Sequence, residues 1–192
     1  MADPSSAWYN ADIEKVIISE AEIREKTDEL ASKIAADYSH VSSVLLVCVL
    51  KGAMMFMADF ARAMGRNGCP VEMEFMAISS YGQRATSSGV VRILKDLDRD
   101  IAGRHVIVVE DIIDSGLTLS WLLKYLASRT PASVEVVALL RKPDAIKVQV
   151  PVKYVGFDIP TEFVVGYGLD FAERYRELPY VGVLKPGVYA RA

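Results

Sequence analysis

The stretch 105–119 constrains the fold of this chain more than any other part of the sequence. It opens with an apolar run, Val106 to Val109, that is typical of a strand buried on both faces of a parallel sheet. Two adjacent acids, Glu110 and Asp111, end the run, and leucines at helical spacing begin at Leu119. The pattern therefore predicts a strand, an acidic turn and a helix, which is the repeating unit of an α/β fold.

The loop between this strand and the helix is suited to hold a phosphate group. Ser115 and Thr118 supply hydroxyl donors, and Gly116 lets the backbone approach an anion closely. The first N–H groups of the following helix have no partner within the helix and point outward. The acids ahead of the loop would repel a phosphate unless Mg²⁺ bridges them or sugar hydroxyls donate to them. Both alternatives imply a phosphorylated sugar, whereas a solvated acidic turn that caps the helix is the simpler interpretation.

The string Val-Val-Glu-Asp-Ile-Ile-Asp-Ser-Gly-Leu-Thr at 108–118 resembles the phosphoribosyl-pyrophosphate motif of type I phosphoribosyltransferases. The resemblance implies that Glu110 and Asp111 bind the ribose hydroxyls. It also implies that the loop from Asp114 through Leu117 to Thr118 binds the 5′-phosphate, with Leu117 at a position that varies in the family. Asp114 is then expected to act as general base or acid on the purine N7.

An earlier strand, predicted over 44–50, ends in Lys51 and Gly52 ahead of another helix. Ligands bind open α/β sheets at the carboxyl ends of the strands, so Lys51 lies where a ligand is expected. Taken alone, Lys51 is typical of a solvated loop. The family resemblance implies instead that this loop contacts pyrophosphate through backbone groups, and family members often carry a cis peptide at this point.

Specificity for a base requires residues outside the phosphate loop. Lys142 follows a strand predicted over 134–140, and Phe163 lies in an apolar run. Taken alone, Lys142 is typical of a surface and Phe163 of a core. Together they resemble the base pocket of the hypoxanthine-guanine phosphoribosyltransferases. That resemblance implies that Lys142 donates to the 6-oxo group, that Phe163 stacks on the purine, and that Val164 meets the base through its backbone.

The segment 155–170 extends the same resemblance. Asp170 matches a residue near the purine's exocyclic position that helps to hold Mg²⁺, and Arg176 matches an arginine that meets pyrophosphate. The expected metal ligands are therefore Glu110, Asp111 and Asp170. Without the resemblance, the charged residues over 173–177 predict a solvated helix face.

A polar, glycine-flanked stretch, 80–89, separates two predicted strands. Its composition alone favours an ordinary hairpin loop, but its length also suits a mobile lid. The pair Ser80 and Tyr81 resembles the start of the family's catalytic lid, which shields the reaction from water.

The whole chain, 1–192, is predicted to form one α/β domain with a mostly parallel sheet flanked by helices, as in the type I phosphoribosyltransferase fold. We expect its core over about residues 40–150. We expect a small hood from the N-terminal segment and from about 155–192. A 3.6-residue apolar stripe also predicts a helix that ends near residue 37.

Composition excludes several function classes. The net charge of -3 and the pI of about 5.5 argue against a broad basic surface for nucleic acid, which a regulatory RNA-binding relative of the family would need. The sequence has no Gly-x-x-x-x-Gly-Lys-Ser/Thr string and no zinc-type spacing of His and Cys. Cys48 and Cys69 are predicted to be free thiols.

The remaining expectations concern partners and location. No signal peptide or run of ~20 apolar residues is visible, so we expect a cytoplasmic protein without a membrane partner. The family resemblance implies that the substrates are a purine base and 5-phosphoribosyl 1-pyrophosphate (PRPP), that Mg²⁺ is the cofactor, and that the assembly is a homodimer or homotetramer. Xanthine, adenine and orotate are alternative bases, although Lys142 argues against adenine because its 6-amino group is itself a donor.

Overall fold

The computed structural model describes residues 11–80 and 91–190. Over these ranges the chain alternates strands and helices before it ends in a small second sheet. The elements are β1 (Ile13–Ile18), α1 (Glu20–Asp37), β2 (Val44–Leu50), α2 (Met54–Arg66), β3 (Val71–Ser80), β4 (Val91–Lys95), β5 (His105–Ile113), α3 (Leu117–Ala127), β6 (Ser133–Arg141), β7 (Tyr154–Asp158), β8 (Val164–Val165), β9 (Val181–Leu184) and α4 (Pro186–Tyr189).

The main sheet of the described chain contains six strands in the order β4-β3-β2-β5-β6-β7. Neighbouring strands from β3 to β7 are parallel, and β4 runs antiparallel to β3 at one edge. The central strand β5 aligns Val106 with Leu45 of β2 and with Val134 of β6. This arrangement confirms the predicted α/β class and brings the carboxyl ends of β2, β5 and β6 to one edge.

Both faces of the main sheet are covered, which explains why its central strands are continuous apolar runs. Ile107 and Val109 of β5 pack in the core cluster that includes α1 and α2, whereas Val106 and Val108 pack in the cluster that includes α3. Since side chains alternate along a strand, the same alternation directs the adjacent acids at 110 and 111 to opposite faces.

The prediction that these acids follow the strand is wrong, because β5 continues to Ile113. Pairing with β6 persists at Ile112 and Ile113, so tertiary hydrogen bonding extends the strand through the acidic pair. Glu110 and Asp111 therefore occupy positions fixed by a strand rather than by a turn.

The first helix follows its sequence signals closely. Ser19 accepts a hydrogen bond from the Glu22 N–H, and the Glu22 carboxylate accepts one from the Ser19 N–H, which completes a capping box. The predicted stripe is buried, with Ile23 and Ile34 against the sheet.

No helix of the described ranges has the length and apolar character needed to span a membrane. Cys48 and Cys69 are free thiols, as predicted, and both are buried.

The second sheet joins the two ends of the described chain, and we call its strands β1, β9 and β8 the hood. These strands pair antiparallel in the order β1-β9-β8. Tyr175 Oη donates to the Asp12 carboxylate at 2.8 Å, and the Lys185 N–H donates to the Asp12 carbonyl at 2.9 Å. Strand β9 was not predicted from the sequence, because its four residues gain their strand conformation from β1 and β8.

The sequence-based interpretation of residues 173–177 as a helix face is wrong. Ala172, Glu173 and Tyr175 have φ angles of 51°, 64° and 77°, which a right-handed helix excludes. The segment forms turns instead, and these turns bring its charged side chains back toward the main sheet.

Candidate active site

The loop between β5 and α3 has the geometry of an anion-binding turn. Gly116 is the N-cap of α3 with a φ of 78°, and a β-carbon there would lie 2.4 Å from the Val148 carbonyl oxygen. The Ser115 carbonyl accepts hydrogen bonds from the N–H groups of Lys147 and Val148 at 3.0 and 3.1 Å. Position 116 requires glycine because of its positive φ angle and because Val148 leaves no space for a side chain. The hydrogen bonds to the Ser115 carbonyl fix the loop against residues 147 and 148.

A cavity of about 250 Å³ opens in front of this loop. Five predicted site residues line it: Glu110, Asp114, Ser115, Gly116 and Thr118. The first N–H groups of α3 lie at the same place and favour negative charge. The cavity is therefore lined both by carboxylates and by the turn that the sequence predicts to bind phosphate.

The two carboxyl groups of β5 are held in a poorly solvated environment. Burial raises the pKa of Glu110 well above its ordinary value, and the neighbouring Asp111 charge raises it further. Burial also raises the pKa of Asp111 to about 6, although the N–H groups of Ile112 and Asp111 and the Arg176 guanidinium oppose the shift. The ionised form of such carboxyl groups is stabilised by a ligand that supplies hydrogen-bond donors or positive charge, as ribose hydroxyls and a divalent cation do.

Three backbone segments meet around Gly52. A β-carbon on Gly52 would lie 1.7 Å from Asp111 Oδ2, and one on Gly168 would lie 1.9 Å from the Gly52 carbonyl oxygen. The peptide bond between Leu50 and Lys51 is cis. The loop after β2 thus lies between the Asp111 carboxylate and Gly168, which the sequence analysis did not identify as a site residue.

Arg176 organises a charged network beside this loop. One of its guanidinium nitrogens lies 2.9 Å from Asp170 and 3.2 Å from Glu173, and another donates to the Gly168 carbonyl at 2.7 Å. Glu173 in turn pairs with Lys51 at 2.9 Å. The network brings the predicted residues Lys51, Asp170 and Arg176 together, and Glu173 is an unpredicted member. Glu173 lies between the predicted residues Asp170 and Arg176 in the sequence, but the prediction of a solvated helix face led to its omission from the site.

A larger cavity, of about 480 Å³, lies behind Arg176 between α1, α2 and the turns that precede β9. Arg24, Asp59 and Tyr167 are among its lining residues. It contains neither the phosphate loop nor the acids of β5. We therefore take the smaller cavity as the candidate site, because five predicted site residues of the 110–118 motif line it, whereas the larger cavity is lined by one predicted site residue, Arg176.

Lys142 and Asp114 form a polar pair at the carboxyl end of β5 and β6. Lys142 Nζ lies 3.6 Å from Asp114 Oδ2, and the Lys142 side chain is only 11% exposed. The Lys142 N–H donates to the Ile113 carbonyl at 2.9 Å, which fixes the residue beside the acidic strand. The surface lysine expected from sequence alone is thus a mostly buried lysine beside Asp114.

Phe163 lies at the entrance to β8 in the hood and is 38% exposed, so the expectation of a core role from its apolar run is wrong. Its ring stacks on Tyr189 with centroids 5.0 Å apart and meets Phe171 edge-on at 5.7 Å. Val164 is buried and pairs with Val183 of β9. The Lys142 side chain thus lies beside Asp114 at the end of the main sheet, whereas the Phe163 ring contacts Phe171 and Tyr189.

The described residues contain no group of three or more His, Cys, Asp or Glu side chains arranged to hold a metal ion. Glu110, Asp111 and Asp170 are therefore not gathered into one cluster, because β5 directs its two acids to opposite faces. Asp111 and Asp170 nevertheless share the electrostatic environment of Arg176.

The predicted lid falls mostly outside the described ranges: Tyr81 lies in 81–90, and Ser80 is described only by its backbone pairing with Val91.

Comparisons with known proteins show the family to which the chain is related. A model of the phosphoribosyl transferase domain family matches residues 18–172. The chain is 55% identical over 186 residues to the hypoxanthine-guanine phosphoribosyltransferase of Mycobacterium tuberculosis, covering 94% of this chain and 91% of that protein. The structure resembles a hypoxanthine phosphoribosyltransferase from Staphylococcus aureus, with a TM-score of 0.90, 40% identity and coverage of 96% and 98%. It also resembles the Trypanosoma cruzi enzyme in complex with the product IMP, with a TM-score of 0.86, 45% identity and coverage of 92% and 97%.

Proposed function

The chain belongs to the phosphoribosyl transferase family, and on that premise we propose that it transfers a 5-phosphoribosyl group from PRPP to N9 of hypoxanthine or guanine. The bond between the ribose anomeric carbon and pyrophosphate breaks, and a bond to N9 forms. The products are IMP or GMP and pyrophosphate, which is a purine salvage reaction. The observation that carries the proposal is the cavity at the end of β5, which is lined by Glu110, Asp114 and the loop residues Ser115, Gly116 and Thr118.

The phosphoribosyl group is proposed to lie in this cavity. Ser115, Gly116, Leu117 and Thr118 would hold the 5′-phosphate through N–H groups and hydroxyls, because the start of α3 favours an anion. Glu110 and Asp111 would accept hydrogen bonds from the ribose hydroxyls. Their negative charge would also favour the positive charge that develops on the ribose ring when the glycosidic bond breaks.

The purine is proposed to place its six-membered ring toward Lys142. In a 6-oxopurine, O6 and N7 lie on the same edge of the base. Lys142 and Asp114 lie 3.6 Å apart, so one could donate to O6 while the other exchanges a proton with N7. Phe163 would stack on the ring, and Val164 would contact the base through its backbone.

Pyrophosphate is proposed to leave toward Gly52 and Arg176. Backbone groups of Lys51 and Gly52 and the guanidinium of Arg176 would bind its oxygens. Mg²⁺ often binds through one or two carboxylates together with substrate phosphate oxygens, so separate carboxylates can suffice. We propose that one or two of the carboxylates of Asp170, Asp111 and Glu110 would hold the ion; the bound ion would neutralise the charge of the leaving group.

The remaining assignments are also proposals. Residues 1–192 would form one domain, with Ser80 and Tyr81 at the start of a lid that excludes water during transfer. We propose a homodimer or homotetramer that acts in the cytoplasm on small-molecule substrates.

The test is a set of steady-state rate measurements with PRPP, Mg²⁺ and each of hypoxanthine, guanine, xanthine, adenine and orotate. We expect rapid release of pyrophosphate with hypoxanthine and guanine and little with adenine or orotate. Rapid transfer to adenine, or no transfer to any 6-oxopurine, would refute the proposal. A preference for xanthine would instead assign the chain to the alternative base specificity on the same scaffold.

A further inference from the structure

The ring of Phe163 is not held by the strand it precedes but by aromatic side chains from later in the chain. Tyr189 stacks on it with an interplanar angle of 22°, and Phe171 lies nearly perpendicular to it at 89°. The Phe163 backbone is fixed separately, because its carbonyl accepts a hydrogen bond from the Leu184 N–H at 3.0 Å. The orientation of the ring therefore depends on side-chain contacts rather than on the backbone alone.

Tyr189 lies in α4, directly after the hood strand β9, and contacts before and within α4 hold this helix in place. The short helix α4 follows Lys185, whose N–H donates to the Asp12 carbonyl at 2.9 Å and whose Nζ donates to the Ala11 carbonyl at 2.6 Å. Tyr189 and Val188 also pack against the buried hood cluster that contains Tyr175. The backbone that carries Tyr189 is thus tied to the residues just before β1, and the Tyr189 side chain is held by its packing against this cluster.

We propose that Tyr189 is a positioning residue for the purine, because it supports one face of the Phe163 ring and so holds that ring in the orientation that the base stacks on. This inference rests on the proposed function and extends it by assigning base affinity to a residue near the carboxyl end. The part of Phe163 that remains exposed, 38% of the residue, supplies the surface for the base. A base that stacked on an unsupported ring would also bear the entropy cost of fixing that ring's side-chain torsions.

The experiment compares Tyr189→Ala, Tyr189→Leu and Tyr189→Phe in the full-length chain, with KM measured separately for hypoxanthine and for PRPP. We expect Tyr189→Ala and Tyr189→Leu to raise the hypoxanthine KM roughly 2- to 12-fold, the range that aromatic pairs give. The PRPP KM and kcat should stay near wild type, and Tyr189→Phe should restore the hypoxanthine KM because it retains the ring. His40→Ala, which removes a stacked ring pair with Tyr38 before β2, is the matched control.

A Phe163→Ala background separates this positioning role from a general structural one. If Tyr189 acts through Phe163, Tyr189→Ala should have little further effect once the Phe163 ring is absent. An undiminished effect in that background would overturn the inference. An unchanged hypoxanthine KM in folded Tyr189→Leu would also overturn the inference. A lowered KM would overturn it too, because it would mean that Tyr189 occupies the position where the base stacks.

Failure of the inference can be told apart from failure of the proposed function. If the wild-type chain transfers to hypoxanthine and Phe163→Ala raises the hypoxanthine KM, an inert Tyr189 refutes the positioning role alone. If Phe163→Ala leaves that KM unchanged, the base site itself is wrongly placed and the inference falls with it. If the wild-type chain transfers to no purine, the proposed function fails first.

Discussion

The carboxylate of Asp111 occupies the space that a side chain on Gly52 would need: a β-carbon there would stand 1.7 Å from Oδ2. The contact joins the loop after β2 to the acidic strand β5 at the point where we propose that ribose and pyrophosphate meet. On its other side, Gly52 presents its carbonyl to Gly168. The geometry of the PRPP site thus depends on a residue with no side chain.

Gly52→Ala tests this packing. The added methyl group must displace Asp111 or the loop, and a displacement of about 1 Å near the chemistry can cost roughly 10²-fold in rate. We expect kcat/KM for PRPP to fall by about that factor. Gly65→Ala in α2 is the matched control, because a β-carbon there meets nothing within 4 Å and should only favour the helix. Equal activity of the two variants would show that the contact is unimportant.

Asp114→Asn tests the proposed proton transfer at N7. The amide is similar in shape but cannot exchange the proton, so we expect kcat to fall roughly 10²–10⁴-fold. Asp144→Asn, a change at an exposed carboxylate two residues beyond Lys142, should leave kcat unchanged. Pre-steady-state and steady-state turnover with hypoxanthine provide the measurement. A kcat near wild type for Asp114→Asn would remove Asp114 from the acid–base role.

Lys142→Met tests recognition of the 6-oxo group. Methionine keeps much of the length of the buried side chain but removes the charged donor, which is worth roughly 10- to 150-fold in affinity. We expect kcat/KM for hypoxanthine and guanine to fall within that range while the KM for PRPP changes little. A comparable loss with PRPP would indicate that Lys142 supports the phosphate side of the site instead of the base.

Asp96 provides a test of stability against pH away from the site. Partial burial alone would raise its pKa, but hydrogen bonds from Tyr125 and the Leu97 N–H, together with Arg129, hold the pKa below its ordinary value. Since the folded-state pKa is the lower one, the stabilisation is present above the unfolded-state value of ~3.9 and is lost as the pH falls through the folded-state pKa.

We therefore expect Asp96→Asn to lower the free energy of unfolding by about 1 kcal/mol at pH 7, a small value because the side chain is 35% exposed. The difference from wild type should shrink below pH ~4, where the wild-type carboxylate also loses its charge. Glu25→Gln, at an exposed position on α1, removes one carboxylate as a control. Urea unfolding at several pH values gives the result, and a pH-independent difference would contradict it.

The strands of the main sheet could be predicted because burial on both faces leaves an uninterrupted apolar run in the sequence. The run 44–50 coincides with β2, and the loop that contains Ser115 and Gly116 lies between β5 and α3, as predicted. Strand β9 and the turns over 173–177 could not be predicted in this way. Their conformations depend on β1, Asp12 and positive φ angles, and none of these leaves a periodic signal.

The site shows the same division between local and tertiary signals. The pairing of Lys142 with Asp114 follows from two strands that end side by side, so the α/β pattern made their proximity predictable. The approach of Gly168 to Gly52 and the stack of Tyr189 on Phe163 join residues more than twenty positions apart through loops. These contacts form only when the chain folds, so no local sequence pattern indicates them.

The most direct test of the account is a crystal structure of the chain with bound IMP. We predict that the 5′-phosphate lies within hydrogen-bond distance of Ser115, Gly116 and Thr118. We also predict that the ribose hydroxyls face Glu110 and Asp111, and that the hypoxanthine ring lies between Lys142 and Phe163. A phosphate bound elsewhere, such as in the larger cavity beside Arg24 and Tyr167, would contradict it.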